Sequence, residues 1–170
     1  MYNLAKFKKQ KGLTLVEAIV ALVVLSFGLI PALAVLSSSV RISSLIENNL
    51  IAASLAQEGV EVMRSLRDEN WFRNLPFDSG LQGNWLVQWD TNGTTRPPQP
   101  VGSNPPLKFD SATGRYNYSI GLDTNFKRAV SVVLTADPCA CKLVVVSRVE
   151  WTQQGRTRTI NVESQLFNWK

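Results

Sequence analysis

The stretch KKQKGLTLVEAIVALVVLSFGLIPALAVL, from Lys8 to Leu36, decides how the rest of the chain is read. Between Leu15 and Leu36 its non-apolar residues are Glu17, Ser26 and Gly28, and Pro31 lies inside the run. As a helix, this run of 22 residues would extend roughly 33 Å, close to the hydrocarbon thickness of a bilayer. A carboxylate at the head of such a segment costs roughly 2–4 kcal/mol, so Glu17 needs a purpose. An ordinary secretory signal or signal anchor is the plain alternative, with Ala32-Leu33-Ala34 as a small-x-small cut site. Neither needs a glycine between its basic and apolar parts, and Glu17 disfavours both.

Basic residues (Lys6, Lys8, Lys9, Lys11), then Gly12, then an apolar helix opened by G-L-T-L-V-E (Gly12 to Glu17) form one pattern. It resembles the leader and first helix of type IV prepilins and type II secretion pseudopilins. The resemblance implies that a prepilin peptidase cuts between Gly12 and Leu13 and that the same enzyme methylates the Leu13 amine. It also implies that Glu17 neutralises the N-terminal amine of a neighbouring subunit during assembly. The expected partners are therefore that peptidase/methyltransferase, other pilin or pseudopilin subunits, and an inner-membrane assembly platform. The chain would be single-pass in the cytoplasmic membrane with its N-terminus inside, and would later enter an extracytoplasmic filament.

Composition narrows the function further. The chain of 170 residues carries 18 Lys and Arg against 13 Asp and Glu, a formal charge of +5. Four of those lysines precede Gly12, which leaves 14 basic against 13 acidic residues beyond it. The basicity thus belongs to the cytoplasmic flank demanded by the positive-inside rule, not to a nucleic-acid footprint. Histidine is absent, which removes the commonest general base and metal ligand. We expect no enzyme, no cofactor and no metal site. The two cysteines, Cys139 and Cys141 in D-P-C-A-C, are two apart. A disulfide there would close a small, strained ring; the pair reads either as a redox or regulatory bridge or as a stiffened turn.

Beyond Leu36 the helical pattern becomes amphipathic. Ile51, Leu55, Gly59, Val62 and Leu66 share one stripe, while Glu47, Ser54, Gln57, Glu58, Glu61 and Arg64 fall opposite. Glu61 and Arg64 can pair; Glu58 is expected to point outward without a partner. One helix from about Thr14 to Arg67 follows, and a kink is expected around Gly28 and Pro31, because proline cannot donate to the carbonyl at position 27. The segment Ala52 to Asp68 resembles the corresponding helix of minor pilins and pseudopilins, and Trp71-Phe72 would anchor the turn away from it.

Residues 74–114 read as loops, with Trp85, Val87 and Trp89 sharing a face of one short strand and RPPQPVGSNPP (96–106) as a surface loop. Asp90-Thr91-Asn92-Gly93 starts like a calcium loop but lacks the later ligands, so it reads as a turn. Tyr116, Tyr118 and Ile120 alternate. Ala129–Ala136, the strand around Leu143, Val145, Val149 and Trp151, and the strand holding Ile160, Val162, Ser164 and Leu166 then form an antiparallel meander able to cover a helix. The ending V-x-W-x-x-x-G-x-x-R-x-I-x-V-x-x-x-L-x-N-W again resembles minor pilins.

The predicted class is therefore α+β in the pilin arrangement: one long N-terminal helix, its first half transmembrane, packed against a C-terminal antiparallel sheet. The expected division is 1–12 leader, 13–36 membrane or filament-core helix, 37–72 amphipathic continuation, and 73–170 β domain. A structural subunit of a type IV pilus or secretion pseudopilus is the leading function. The alternative is a tip module for DNA uptake or adhesion, in which Trp85, Trp89, Tyr116 and Tyr118 stack near Arg96, Lys108 and Arg115; a core role for those aromatics competes with it.

Overall fold

The computed structural model describes residues 12, 14–135 and 141–169. Its first element is a single helix, α1 (Leu15–Phe72), which ends five residues beyond the expected Arg67. Thr14 caps it: the Thr14 Oγ1 accepts from the Glu17 N–H at 3.2 Å, and the Thr14 carbonyl takes the Ala18 N–H at 3.1 Å. The far end closes at Asn74, whose φ of 57° is the left-handed conformation that ends helices, with the Leu75 N–H bonded to the Asn70 carbonyl at 2.9 Å.

Eight strands follow: β1 (Gly83–Leu86), β2 (Gln99–Pro100), β3 (Lys108–Asp110), β4 (Arg115–Asn117), β5 (Leu122–Asp123), β6 (Lys127–Thr135), β7 (Lys142–Gln153) and β8 (Arg156–Phe167). The larger sheet has the order β2-β1-β6-β7-β8 and the smaller has β4-β3-β5, with antiparallel pairing throughout. The class is α+β, a long N-terminal helix packed against an antiparallel sheet, as the sequence predicts. Two details differ from the sequence reading. The proline-rich run contributes an edge strand, with Pro100 opposite Trp85, a position where a missing amide donor is tolerated. Tyr116, Tyr118 and Ile120 do not form one strand, because β4 stops at Asn117, whose Oδ1 accepts from the Ser119 and Ile120 amides and turns the chain.

The chain divides into two units between Ser44 and Leu45. In the first, every residue of α1 up to Leu36 is exposed, Leu15 at 77% and Phe27 at 79% among them. In the second, α1 buries Ala52, Leu55, Ala56, Gly59, Val60, Val62, Met63 and Leu66, a stripe wider than the sequence reading, with Ile51 only half-buried at its margin. Two apolar clusters meet it. Val60, Met63 and Leu66 pack with Val130, Leu143, Val145 and Leu166. Ala52, Leu55 and Ala56 pack with Leu107, Phe126, Val149 and Trp151. Small residues sit where helix and sheet come closest. A side chain at Gly59 would collide with the Ser147 Oγ and stand 3.0 Å from the Val130 side chain, so glycine is required by space there.

Trp71 and Phe72 part company. Trp71 is half-buried, edge-on to Trp169 at 4.8 Å and under the Arg67 guanidinium at 4.4 Å. Phe72 is 88% exposed and, among the described residues, does not anchor the turn as expected.

Candidate functional site

Two places bear on function: the head of α1 and the polar junction beneath the sheet. At the head, Gly12 is exposed, and nothing lies within 4 Å of where a side chain would project. Among the described residues, packing therefore places no demand on a glycine at position 12. Leu13 lies outside the described residues. Glu17 is the third residue of α1 and is exposed. Thr14-Leu15-Val16-Glu17 has the spacing of a capping box, and a carboxylate in the first turn also suits the positive end of the helix dipole. Sequence reasoning missed this second role for Glu17, although the T-x-x-E spacing was there to be read. Among the described residues its carboxylate has no ion-pair partner.

The helix that follows is apolar on every face and long enough to cross a membrane. A helix apolar all round is stable only when lipid or other helices surround it. Its hydroxyls are satisfied locally: Ser26 Oγ donates to the Leu22 carbonyl at 2.7 Å, and Ser38 and Ser39 donate to the carbonyls of Ala34 and Val35 at 3.0 Å. α1 runs through Gly28 and Pro31 without interruption.

The junction beneath the sheet corrects the expectation for Glu58. Arg128, with 0% of its surface exposed, donates from Nη1 to the Glu58 carboxylate at 2.9 Å and to the Leu55 carbonyl at 2.8 Å. Its Nη2 donates to the Val87 carbonyl. Glu58 is thus half-buried and paired, not free on the outer face. Glu61, by contrast, does pair with Arg64 at 2.6 Å on the exposed side. Arg128 escaped sequence reasoning because K-R-A-V at the start of β6 looks like an edge charge; the sheet register turns it inward, between buried Phe126 and Val130. The Tyr118 hydroxyl donates to the Arg128 carbonyl at 3.0 Å, and the Tyr118 N–H is held by Gln88 Oε1 at 2.9 Å. Burial pushes the Tyr118 phenol above its ordinary pKa, more than the Arg128 charge lowers it. This arrangement joins α1, the loop after β1 and β6 with charge-assisted bonds.

The residues of the alternative binding reading are divided between the core and the surface. Trp85 and Tyr116 pack against the two apolar clusters. Trp89 departs from the expected shared face because the chain turns at Gln88–Thr91, where the Gln88 N–H bonds the Thr91 hydroxyl. It is 46% exposed, with the Arg115 guanidinium 4.2 Å above its ring. Arg96 pairs with Asp90 at 3.0 Å and Lys108 with Asp123 at 3.8 Å.

Asp90–Gly93 forms a turn latched to the helix. Glu69 accepts from the Gly93 amide at 2.8 Å and from the Thr94 hydroxyl at 3.1 Å, while Asn92 Oδ1 accepts from the Thr94 and Thr95 amides. Cys139 lies outside the described residues. Cys141 is disulfide-bonded, and its carbonyl accepts from the Asn168 amide at 2.7 Å.

The family defined by the prokaryotic N-terminal methylation motif matches residues 7–33. No curated protein and no solved structure matches the chain. The matched span contains Gly12, Leu13, Glu17, Gly28 and Pro31 and ends within the exposed apolar half of α1. The chain therefore carries the prokaryotic N-terminal methylation motif at the head of a long apolar helix that continues into an antiparallel β domain, consistent with a type IV pilin-like protein.

Proposed function

We propose that the chain is a structural subunit, a minor pilin or pseudopilin, cut after Gly12, methylated on Leu13 and assembled through its apolar helix into a pilus or secretion pseudopilus. The observation that carries this reading is the methylation motif over residues 7–33 joined to a helix whose Leu15–Leu36 surface is exposed throughout. The lysines before Gly12 and an exposed Gly12 both suit a membrane-embedded peptidase working at the cytoplasmic face. The expected partners are that enzyme, other subunits and an inner-membrane assembly platform.

The mechanism is physical. The cut exposes an amine at Leu13, four residues before Glu17. In a filament core poor in water, Glu17 of one subunit meets the amine of the next, and leaving either buried and unpaired would cost several kcal/mol. Gly28 and Pro31 mark where the helix bends or loosens as subunits pack. The test is the mass of the chain recovered from a host expressing the peptidase. The reading expects a protein beginning at Leu13 with one added methyl group, and Gly12→Glu should leave the full-length precursor. A shortened Gly12→Glu product, or a wild-type chain cut after Ala34, would overturn the assignment.

A further inference from the structure

The two edges of the large sheet are unlike each other. β2 is two residues long and contains Pro100, a blunted edge of the kind that resists pairing. β8 at the other edge is 12 residues long and keeps unbroken register with β7, from Lys142 opposite Phe167 to Gln153 opposite Arg156. It has no proline and no bulge.

The turn that opens β8 fixes which backbone groups face outward. Gln154 and Gly155 have φ of 53° and 73°, the signature of a two-residue type I′ turn. In that hairpin the flanking pair, Gln153 and Arg156, is hydrogen-bonded, and bonded pairs alternate along the ladder. The even-numbered residues of β8 therefore bond β7, and the amides and carbonyls of Thr157, Thr159, Asn161, Glu163 and Gln165 face away from the sheet. Among the described residues no hydrogen bond reaches those groups.

The side chains of β8 define what could pair there. Its helix-facing row reads Arg156, Arg158, Ile160, Val162, Ser164, Leu166, since Arg158 stands opposite buried Trp151 and Leu166 opposite buried Leu143. Ile160 and Val162 are half-buried, so apolar neighbours on an added strand would cover them. Arg156 and Arg158 are exposed and, among the described residues, have no ion-pair partner. We propose that β8 is a strand-addition site for an extended segment of a different protein chain, alternating apolar and polar residues and carrying carboxylates where it meets Arg156 and Arg158. Main-chain bonds along such an edge supply affinity, and alternate side chains supply selectivity. A second copy's β8 is a poorer match, because its helix-facing row offers no carboxylate to Arg156 and Arg158. The site lies wholly in the second unit and is independent of processing at Gly12.

The test uses the full chain in detergent micelles and two synthetic probes, a valine–threonine alternating peptide flanked by aspartates and the same peptide flanked by lysines. The aspartate peptide should slow hydrogen exchange at Thr157, Thr159, Asn161, Glu163 and Gln165, and should bind about ten-fold more tightly than the lysine peptide. The double variant Arg156→Glu, Arg158→Glu should invert that preference. Asn161→Pro, which removes an outward donor and no bond to β7, should weaken both peptides while the Ile160 and Val162 amides stay protected. The proposal is overturned if the aspartate peptide leaves the five outward amides unchanged in the folded chain. It is also overturned if those amides are already protected in a chain that runs as a dimer, which would assign the edge to a second copy.

Discussion

The two halves of α1 are built from the same backbone bonds and reach stability by opposite routes. From Leu45 to Phe72 the apolar residues form a stripe, and the sheet of the same chain covers them. From Leu15 to Leu36 they lie on every side and are exposed among the described residues. The amphipathic half is a folding problem that one molecule solves. The all-apolar half has its energetics completed by lipid or by other helices, so its side chains have no stabilising role within the isolated chain. Changes in the first half should act on assembly, and changes in the second on folding.

The largest effect that would break this contrast is expected at Arg128. Arg128→Met removes the partner of half-buried Glu58 and two charge-assisted bonds to the Leu55 and Val87 carbonyls. We expect a loss of about 3 kcal/mol, read by denaturant unfolding of the chain in micelles with Trp fluorescence, while peptidase cleavage continues. Gly59→Val should follow. Its side chain meets Ser147 and Val130, and overpacking of this kind costs about 1–3 kcal/mol. An unchanged unfolding midpoint would mean that helix and sheet are less closely joined at Gly59 than these contacts imply.

Tyr118→Phe removes the hydroxyl that donates to the Arg128 carbonyl and should cost about 1 kcal/mol at neutral pH. Burial raises the native phenol above 10.0, its ordinary value. The folded state thus favours the neutral form. That contribution is complete below pH 10 and is lost as pH rises through the native pKa. Between pH 9 and 11 the wild type should lose more stability than Tyr118→Phe in parallel unfolding curves. Equal losses would sink the burial argument. The smallest effect is expected at Val24, 65% exposed: Val24→Ala should move the unfolding midpoint of the second unit by less than about 0.5 kcal/mol.

How much of this was legible in the sequence follows from the same contrast. The first half of α1 was readable because its signals are local: a basic flank, a glycine, an apolar run and one carboxylate. The meander was readable from its period of two, since Leu143, Val145, Val149 and Trp151 alternate and are all buried. What escaped depends on register across distance. Glu58 looked free because its partner is Arg128, 70 residues away, and nothing in either neighbourhood announces the pair. Trp89 looked like a strand residue until the bond between Gln88 and Thr91 turned the chain. The small second sheet was invisible because β3, β4 and β5 are two or three residues each, too short to establish a period. The turn between β3 and β4 did leave a trace in D-S-A-T-G: Asp110 accepts from the Ala112 amide and the Thr113 hydroxyl, with Thr113 the larger cause of the lowered Asp110 pKa.

The central claim is that Glu17 acts through its charge on a neighbouring subunit. Its position as third residue of α1, behind the Thr14 cap, offers a rival account in which it only starts the helix. Glu17→Gln separates the two, since glutamine keeps the capping-box chemistry and removes the charge. The decisive measurement is the fraction of Glu17→Gln protein recovered in sheared filaments relative to membranes. We predict a chain that is inserted and cut after Gly12 yet largely absent from filaments. Recovery at the wild-type level would contradict the account and leave Glu17 as a helix-capping residue.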